Sequence, residues 1–153
     1  PIKEMLEHGI TVGLGTDGPA SNNNHDMIFI LKLTALLQKV KYLNPEVISA
    51  EKVLRLATIE GAKCIGLENI IGSIELGKKA DISIFDLHSL NTSTLHDPIK
   101  SIVYSSNQEN VSDVIIDGKI ILRDRKFVNQ NESDVIETAD LLGRDLVNKS
   151  NVN

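Results

Sequence analysis

Ile10-Thr11-Val12-Gly13-Leu14-Gly15-Thr16-Asp17-Gly18-Pro19 is the stretch on which the fold of this chain turns. Its first five residues are apolar and partly β-branched, and Gly-Thr-Asp-Gly-Pro stops them in a polar loop. A strand without polar alternation is what a parallel sheet covered on both faces requires. Ahead of it, Ile2 to Glu7 repeats at helical spacing, with Pro1 suited to a first turn and Gly9 to a C-terminal end. Helix, short gap, buried strand and polar loop form an α/β unit.

Downstream the helical period returns. Asp26 is placed to cap a helix in which Met27, Ile28, Ile30, Leu31, Leu33, Leu37 and Val40 are broadly apolar, so burial on more than one side is expected. After Asn44-Pro45 a second helix is expected from about Ala50 toward Gly66. From Ile71 the character shifts to strands. Gly72 to Gly77 reads as a short strand ended by a turn, and Ala80 to Asp86 alternates with period two, as a sheet with one wet face does. The runs VSDVIID and KIILRDRKF, between Val111 and Phe127, meet at Asp117-Gly118, a strong hairpin signal. Glu132 to Lys149 is helical again and ends in a polar stub. The expected fold class is therefore α/β plus β with a C-terminal helix, divided into 1–69 and 70–153.

Composition narrows the function. An apolar share of 41% and a charged share of 24% belong to a chain that folds in water. Sixteen basic residues against twenty-one acidic ones give a net charge of −5, with the basic residues scattered, which argues against nucleic acid as a partner. No apolar run approaches the roughly 20 residues needed to cross a bilayer, and PIKEMLEHG lacks the regions of a signal peptide, so no membrane partner and a cytoplasmic location are expected. The single cysteine, Cys64, excludes an internal disulfide or a thiolate cluster and reads as a small buried residue in a helix. Pro1 followed at once by a helical pattern is not expected of a natural translation start.

Three strings carry a resemblance: LGTDGPASNNNHDM, LRLATIEGAKCIGLENIIGSIELGKKADISIFDL and VIIDGKIIL. Together they resemble the C-terminal part of the amidohydrolase superfamily. Within it they look most like the deaminases of 5′-methylthioadenosine and S-adenosylhomocysteine in the chlorohydrolase-like branch, whose relatives include triazine hydrolases and guanine deaminase. The resemblance implies a (β/α)₈ barrel with one or two divalent metals, flanked by a β-sandwich composed from both ends of a longer chain. Residues 1–69 would then be the end of the barrel, with TVGLG as its eighth strand. Residues 70–153 would be part of the composite sandwich and the terminal helix. Asp17 would lie just past the C-terminal end of that strand, where barrel enzymes place catalytic groups.

The chemistry implied suits a carboxylate at that place. Water on zinc ionises near pH 7, and the hydroxide can attack an electron-poor ring carbon. A neighbouring carboxylate can bind the metal, orient the hydroxide and pass its proton toward leaving ammonia. The resemblance gives Asp17 both roles, metal ligand and proton carrier; on the residues alone, Thr-Asp-Gly after a strand reads as an ordinary turn. Ser21, Asn22, Asn23 and Asn24 offer hydroxyl and amide groups to a purine edge or ribose, and equally are residues that loops and helix starts favour. His25 stands where this branch is expected to carry an apolar residue. Asp26 is expected to be a helix cap.

His8, His88 and His96 are isolated and read as surface or loop residues. None forms His-x-His, and the further metal-binding histidines and the general acid/base glutamate that the resemblance implies have no counterpart in the chain. One carboxylate does not make a zinc site, which takes at least three protein ligands. The expectation is a C-terminal piece of a metal-dependent hydrolytic deaminase acting on adenosine-type nucleosides, inactive alone and possessing no complete metal site. The metal expected in the intact parent is zinc, with iron or manganese as alternatives. The competing readings are a non-catalytic interaction domain and a parent acting on triazine or guanine rings. Unpaired strand edges predict a homo-oligomer, or association with the missing N-terminal part.

Overall fold

The computed structural model describes residues 1–150. Helix α1 (Ile2–Glu7) leads into the irregular stretch 10–18, and a single turn, α2 (Pro19–Asn22), precedes the long α3 (Met27–Tyr42). Asp26 caps α3 as expected: its carboxylate accepts the Phe29 N–H at 3.0 Å. Ser49 caps α4 (Ala50–Ala57) in the same way, accepting the Lys52 N–H at 3.1 Å. The expected second helix is broken at Thr58, whose φ of −122° and ψ of −104° lie outside the helical region, and α5 (Ile59–Cys64) begins after it. The Thr58 hydroxyl turns back to donate to the Leu54 carbonyl at 2.8 Å.

These helices close one core. Leu31 and Ala35 of α3 meet Ile48 and the α4 residues Ala50, Val53 and Leu56, and Val103 enters from a π-helical turn, Ser101–Ser105, that follows the short α6 (Pro98–Lys100). Ile2, Leu6, Val12 and Leu14 pack against its margin. Burial of these side chains, worth roughly 1.5–3 kcal/mol each, is what holds the layer together.

A four-stranded antiparallel sheet follows in chain order: β1 (Ile82–Phe85), β2 (Val111–Ile116), β3 (Lys119–Arg123) and β4 (Lys126–Phe127). Asp117 and Gly118 make the β2–β3 turn with φ of 50° and 76°, the two left-handed residues that a tight hairpin twisted with its strands needs. The second β-rich run does not continue to Phe127. It folds back at Asp124 and Arg125, φ 49° and 62°, to give β4. Bonds to residues distant in sequence hold Arg125 there: its backbone N–H donates to the Ser112 carbonyl at 2.9 Å, its Nε to the Glu109 carbonyl at 2.6 Å, and its Nη2 to Asp86 Oδ2 at 2.8 Å. Helix α7 (Glu132–Ser150) completes the described chain, and every one of its residues is exposed.

Two expected strands are not formed. Residues 10–14 lie in neither a helix nor a ladder, and backbone bonds hold their two ends: the Ile10 N–H donates to the Met5 carbonyl at 2.9 Å and the Leu14 N–H to the Leu56 carbonyl at 3.0 Å. A parallel strand exists only beside other strands, and among the described residues the only sheet is β1–β4. Residues 72–77 form no strand: the chain bends at Gly72, φ +91°, and turns at Leu76 and Gly77, the latter also at φ +91°. An added Cβ at Gly72 would lie 2.8 Å from Ala62 Cβ and 2.9 Å from Ile59 Cα, so glycine is also what lets this segment pack on α5. Cys64 is exposed, not buried. It ends α5 on the wall of an open apolar cavity of about 930 Å³ that also takes in Gly13, Leu14, Gly61, Ile74 and Phe85.

Candidate active site

The polar loop after residue 14 is organised around Thr16 and Asp17. Asp17 sits in the left-handed region, φ 62°, a place that Asp tolerates better than most residues and where non-glycine residues are uncommon. Its Oδ1 accepts the Gly18 N–H at 2.6 Å and the residue is exposed, so the carboxylate is presented at the surface of the loop. Thr16, one residue earlier, is held at two points. Its carbonyl accepts Asn22 Nδ2 at 2.7 Å, and its hydroxyl donates to the Asp17 carbonyl at 3.1 Å while lying 3.4 Å from His25 Nδ1.

The four polar residues taken from the sequence part company here. Ser21 lies exposed in α2, and Asn23 caps that turn in the left-handed region at φ 63°. Asn22 is half-buried with its amide committed to Thr16. Asn24 Oδ1 accepts the Asp26 N–H at 3.1 Å. The ring is thus closed from Thr16 to Asn22, with His25 against its outer side. The sequence marked His25 only as out of place; its approach to Thr16 comes from the bend of residues 23–26, which no local pattern announces.

His8, His88 and His96 are exposed, as expected, and stand apart from the loop. Among the described residues no three His, Cys, Asp or Glu side chains gather to hold a metal ion. Asp17 offers one carboxylate, so the residues present do not by themselves fit a metal centre. The open cavity beside Cys64 reaches as far as Gly15, but its lining is mostly apolar and Asp17 is not part of it.

The small residues of the ATIEGAKCIGL string have a packing role. An added Cβ at Gly13 would lie 3.0 Å from Gly61 Cα and 3.2 Å from Cys64 Sγ, so glycines on both sides let the segment before Asp17 lie on α5. The string therefore helps to fix where the loop starts.

With that geometry in place, comparison with known proteins decides the family. Residues 1–121 match the amidohydrolase family. The chain belongs to it. Among its relatives are a 5′-deoxyadenosine deaminase of Methanobrevibacter smithii, 43% identical over 91% of this chain and 32% of the relative, and a 5-methylthioadenosine/S-adenosylhomocysteine deaminase of Desulforamulus reducens, 42% identical over 89% and 31%. An S-triazine hydrolase of Gordonia rubripertincta is 41% identical over 82% of this chain and 26% of its own length. A crystal structure of an adenosine deaminase from Xanthomonas campestris with bound zinc superposes with a TM-score of 0.92 at 33% identity, covering 97% of this chain and 34% of that one. The chain spans about a third of the length of the curated relatives it matches. Among the described residues no helix is long and apolar enough to cross a membrane.

Proposed function

We propose that this chain supplies the C-terminal third of a metal-dependent hydrolase that deaminates adenosine-type nucleosides, methylthioadenosine and S-adenosylhomocysteine among them. The observation that carries the proposal is identity of about 40% to named adenosine-type deaminases across about nine tenths of the chain. The exposed carboxylate of Asp17, at the head of the loop, agrees with it. In this reading residues 1–69 close a (β/α)₈ barrel, 10–14 becoming its last strand when neighbours are present, and residues 70–153 provide part of a composite β-sandwich with its terminal helix. The catalytic unit then needs residues that the relatives carry outside the matched third.

Asp17 has two tasks in that unit: to give one ligand to a divalent metal, zinc before iron or manganese, and to take up the proton that the leaving ammonia requires. A metal centre assembled from other residues is implied, because this chain brings a single carboxylate to it. Ser21 and Asn23, exposed in the segment that follows Asp17, would be the side chains to meet a ribose or purine edge, with Asn24 less free because of its bond to Asp26. The 153-residue chain alone is then inactive, and its open edges are covered by a second copy or by the remainder of the enzyme.

The test is ammonia release from 5′-methylthioadenosine, 5′-deoxyadenosine and S-adenosylhomocysteine by the complete enzyme containing this segment. Turnover is expected, and Asp17→Asn should lower kcat by about 100-fold or more. An undiminished rate in that variant would remove Asp17 from the chemistry. Turnover by the 153-residue chain alone would overturn the division of labour. A second reading, hydrolysis of a triazine ring, is favoured by the relative from Gordonia rubripertincta. Activity confined to a chlorinated or aminated triazine in the same assay would select it.

A further inference from the structure

We propose that Asn22 is a positioning residue that fixes the Asp17 carboxylate, and that it does not bind substrate. The proposal rests on the reading of Asp17 given above. Asn22 Nδ2 donates to the Thr16 carbonyl at 2.7 Å, and Asn22 is half-buried while its neighbours Ser21 and Asn23 are exposed. The same residue ends α2, where its own backbone N–H donates to the Gly18 carbonyl at 3.0 Å. It therefore grips the loop on both sides of Asp17, at Thr16 through the side chain and at Gly18 through the main chain.

Asp17 needs such a grip. A residue at φ 62° keeps that conformation only when its surroundings over-determine it. The Gly18 N–H aimed at Asp17 Oδ1 orients the carboxyl plane, and that N–H is fixed only as long as residues 16–18 are. Thr16 adds a second tie through its hydroxyl to the Asp17 carbonyl at 3.1 Å, with His25 Nδ1 3.4 Å from that hydroxyl. An amide that commits one of its two N–H groups to the backbone and is itself half-buried has less left for a ligand than the exposed side chains beside it. Substrate recognition falls to the exposed side chains on either side of it.

Substitution separates the two roles. Asn22→Asp keeps the shape but sets a carboxylate oxygen against the Thr16 carbonyl, and Asn22→Gln restores the donor on a longer arm. In the complete enzyme, Asn22→Asp is expected to lower kcat by at least about tenfold with KM changed less than about twofold, and Asn22→Gln to recover part of the loss. Higher KM at unchanged kcat would make Asn22 a substrate contact, and no change in either constant would also overturn the proposal. Amide hydrogen exchange in the 153-residue chain gives an independent measurement: the Asn22 side-chain protons should exchange at least about tenfold more slowly than those of the exposed Asn69. Equal rates would overturn the clamp even if the Asn22→Asp variant failed to fold. An Asp17→Asn enzyme with full activity would sink the Asp17 reading alone, since slow exchange at Asn22 reports the clamp regardless of chemistry.

Discussion

The helical layer and the sheet with α7 are stabilised in different ways. In the former, Val53, Leu56, Ala35 and Val103 are wholly removed from water. In the latter, no residue of β1–β4 or α7 is buried; the sheet is held by ladders, tight turns and the Arg125 bonds, and α7 shows Leu142 and Leu146 to solvent. A core makes one region self-sufficient. The other has the hydrogen bonds of a fold without a buried apolar residue.

This contrast can be broken most sharply at Leu56. Replacing it with Ala should cost about 2–5 kcal/mol, read by urea denaturation, because the side chain is fully buried between α3, α4 and the 101–105 turn. If instead the loss were below about 0.5 kcal/mol, the helical layer would have no working core. Gly72→Ala comes next, at about 1–3 kcal/mol, since the new methyl meets Ala62 and the Ile59 backbone in a conformation that disfavours any side chain. Leu146→Ala in α7 should change the stability of the isolated chain by less than about 0.5 kcal/mol. A larger effect, accompanied by a change in mass by light scattering, would show that α7 already has a partner in solution.

The smallest effect concerns pH. The Tyr42 hydroxyl, the Glu4 backbone and Lys41 together hold the Glu4 carboxyl at about 2, below its ordinary 4.5. A lowered carboxyl stabilises the fold above its unfolded value, so this contribution is complete above pH 4.5 and disappears as the pH falls from there toward 2. Thermal melts of the wild type should therefore decline over that window, and Glu4→Gln should flatten the decline. An identical slope in the variant would remove Glu4 from acid stability.

Much of this was legible in the residues. Asp26 before an apolar run, and Asp117-Gly118 between two β-rich runs, name their own structures because a cap and a two-residue turn are decided within a few positions. What failed were features decided elsewhere. Residues 10–14 have the composition of a buried strand, but strand formation depends on neighbouring strands, and none pairs with them among the described residues. The split at Thr58 and the reversal at Asp124-Arg125 depend on bonds to Leu54, Glu109 and Asp86, of which the last two lie far off in sequence. Cys64 was misjudged for a related reason: its helix has the right pattern, but the wall opposite it is an open cavity. In the loop, the residue types suggest a ligand set of four, whereas bonds within the loop tie Asn22 to Thr16 and Asn24 to Asp26 and leave Ser21 and Asn23 exposed.

The clamp is also short. Thr16 and Asn22 are six positions apart, and closing a loop of about ten residues takes on the order of 10–100 ns, far faster than domain docking. The Asp17 conformation is therefore short-range order, able to form before any distant strand arrives. A peptide carrying residues 15–26 would be the smallest object in which to look for it.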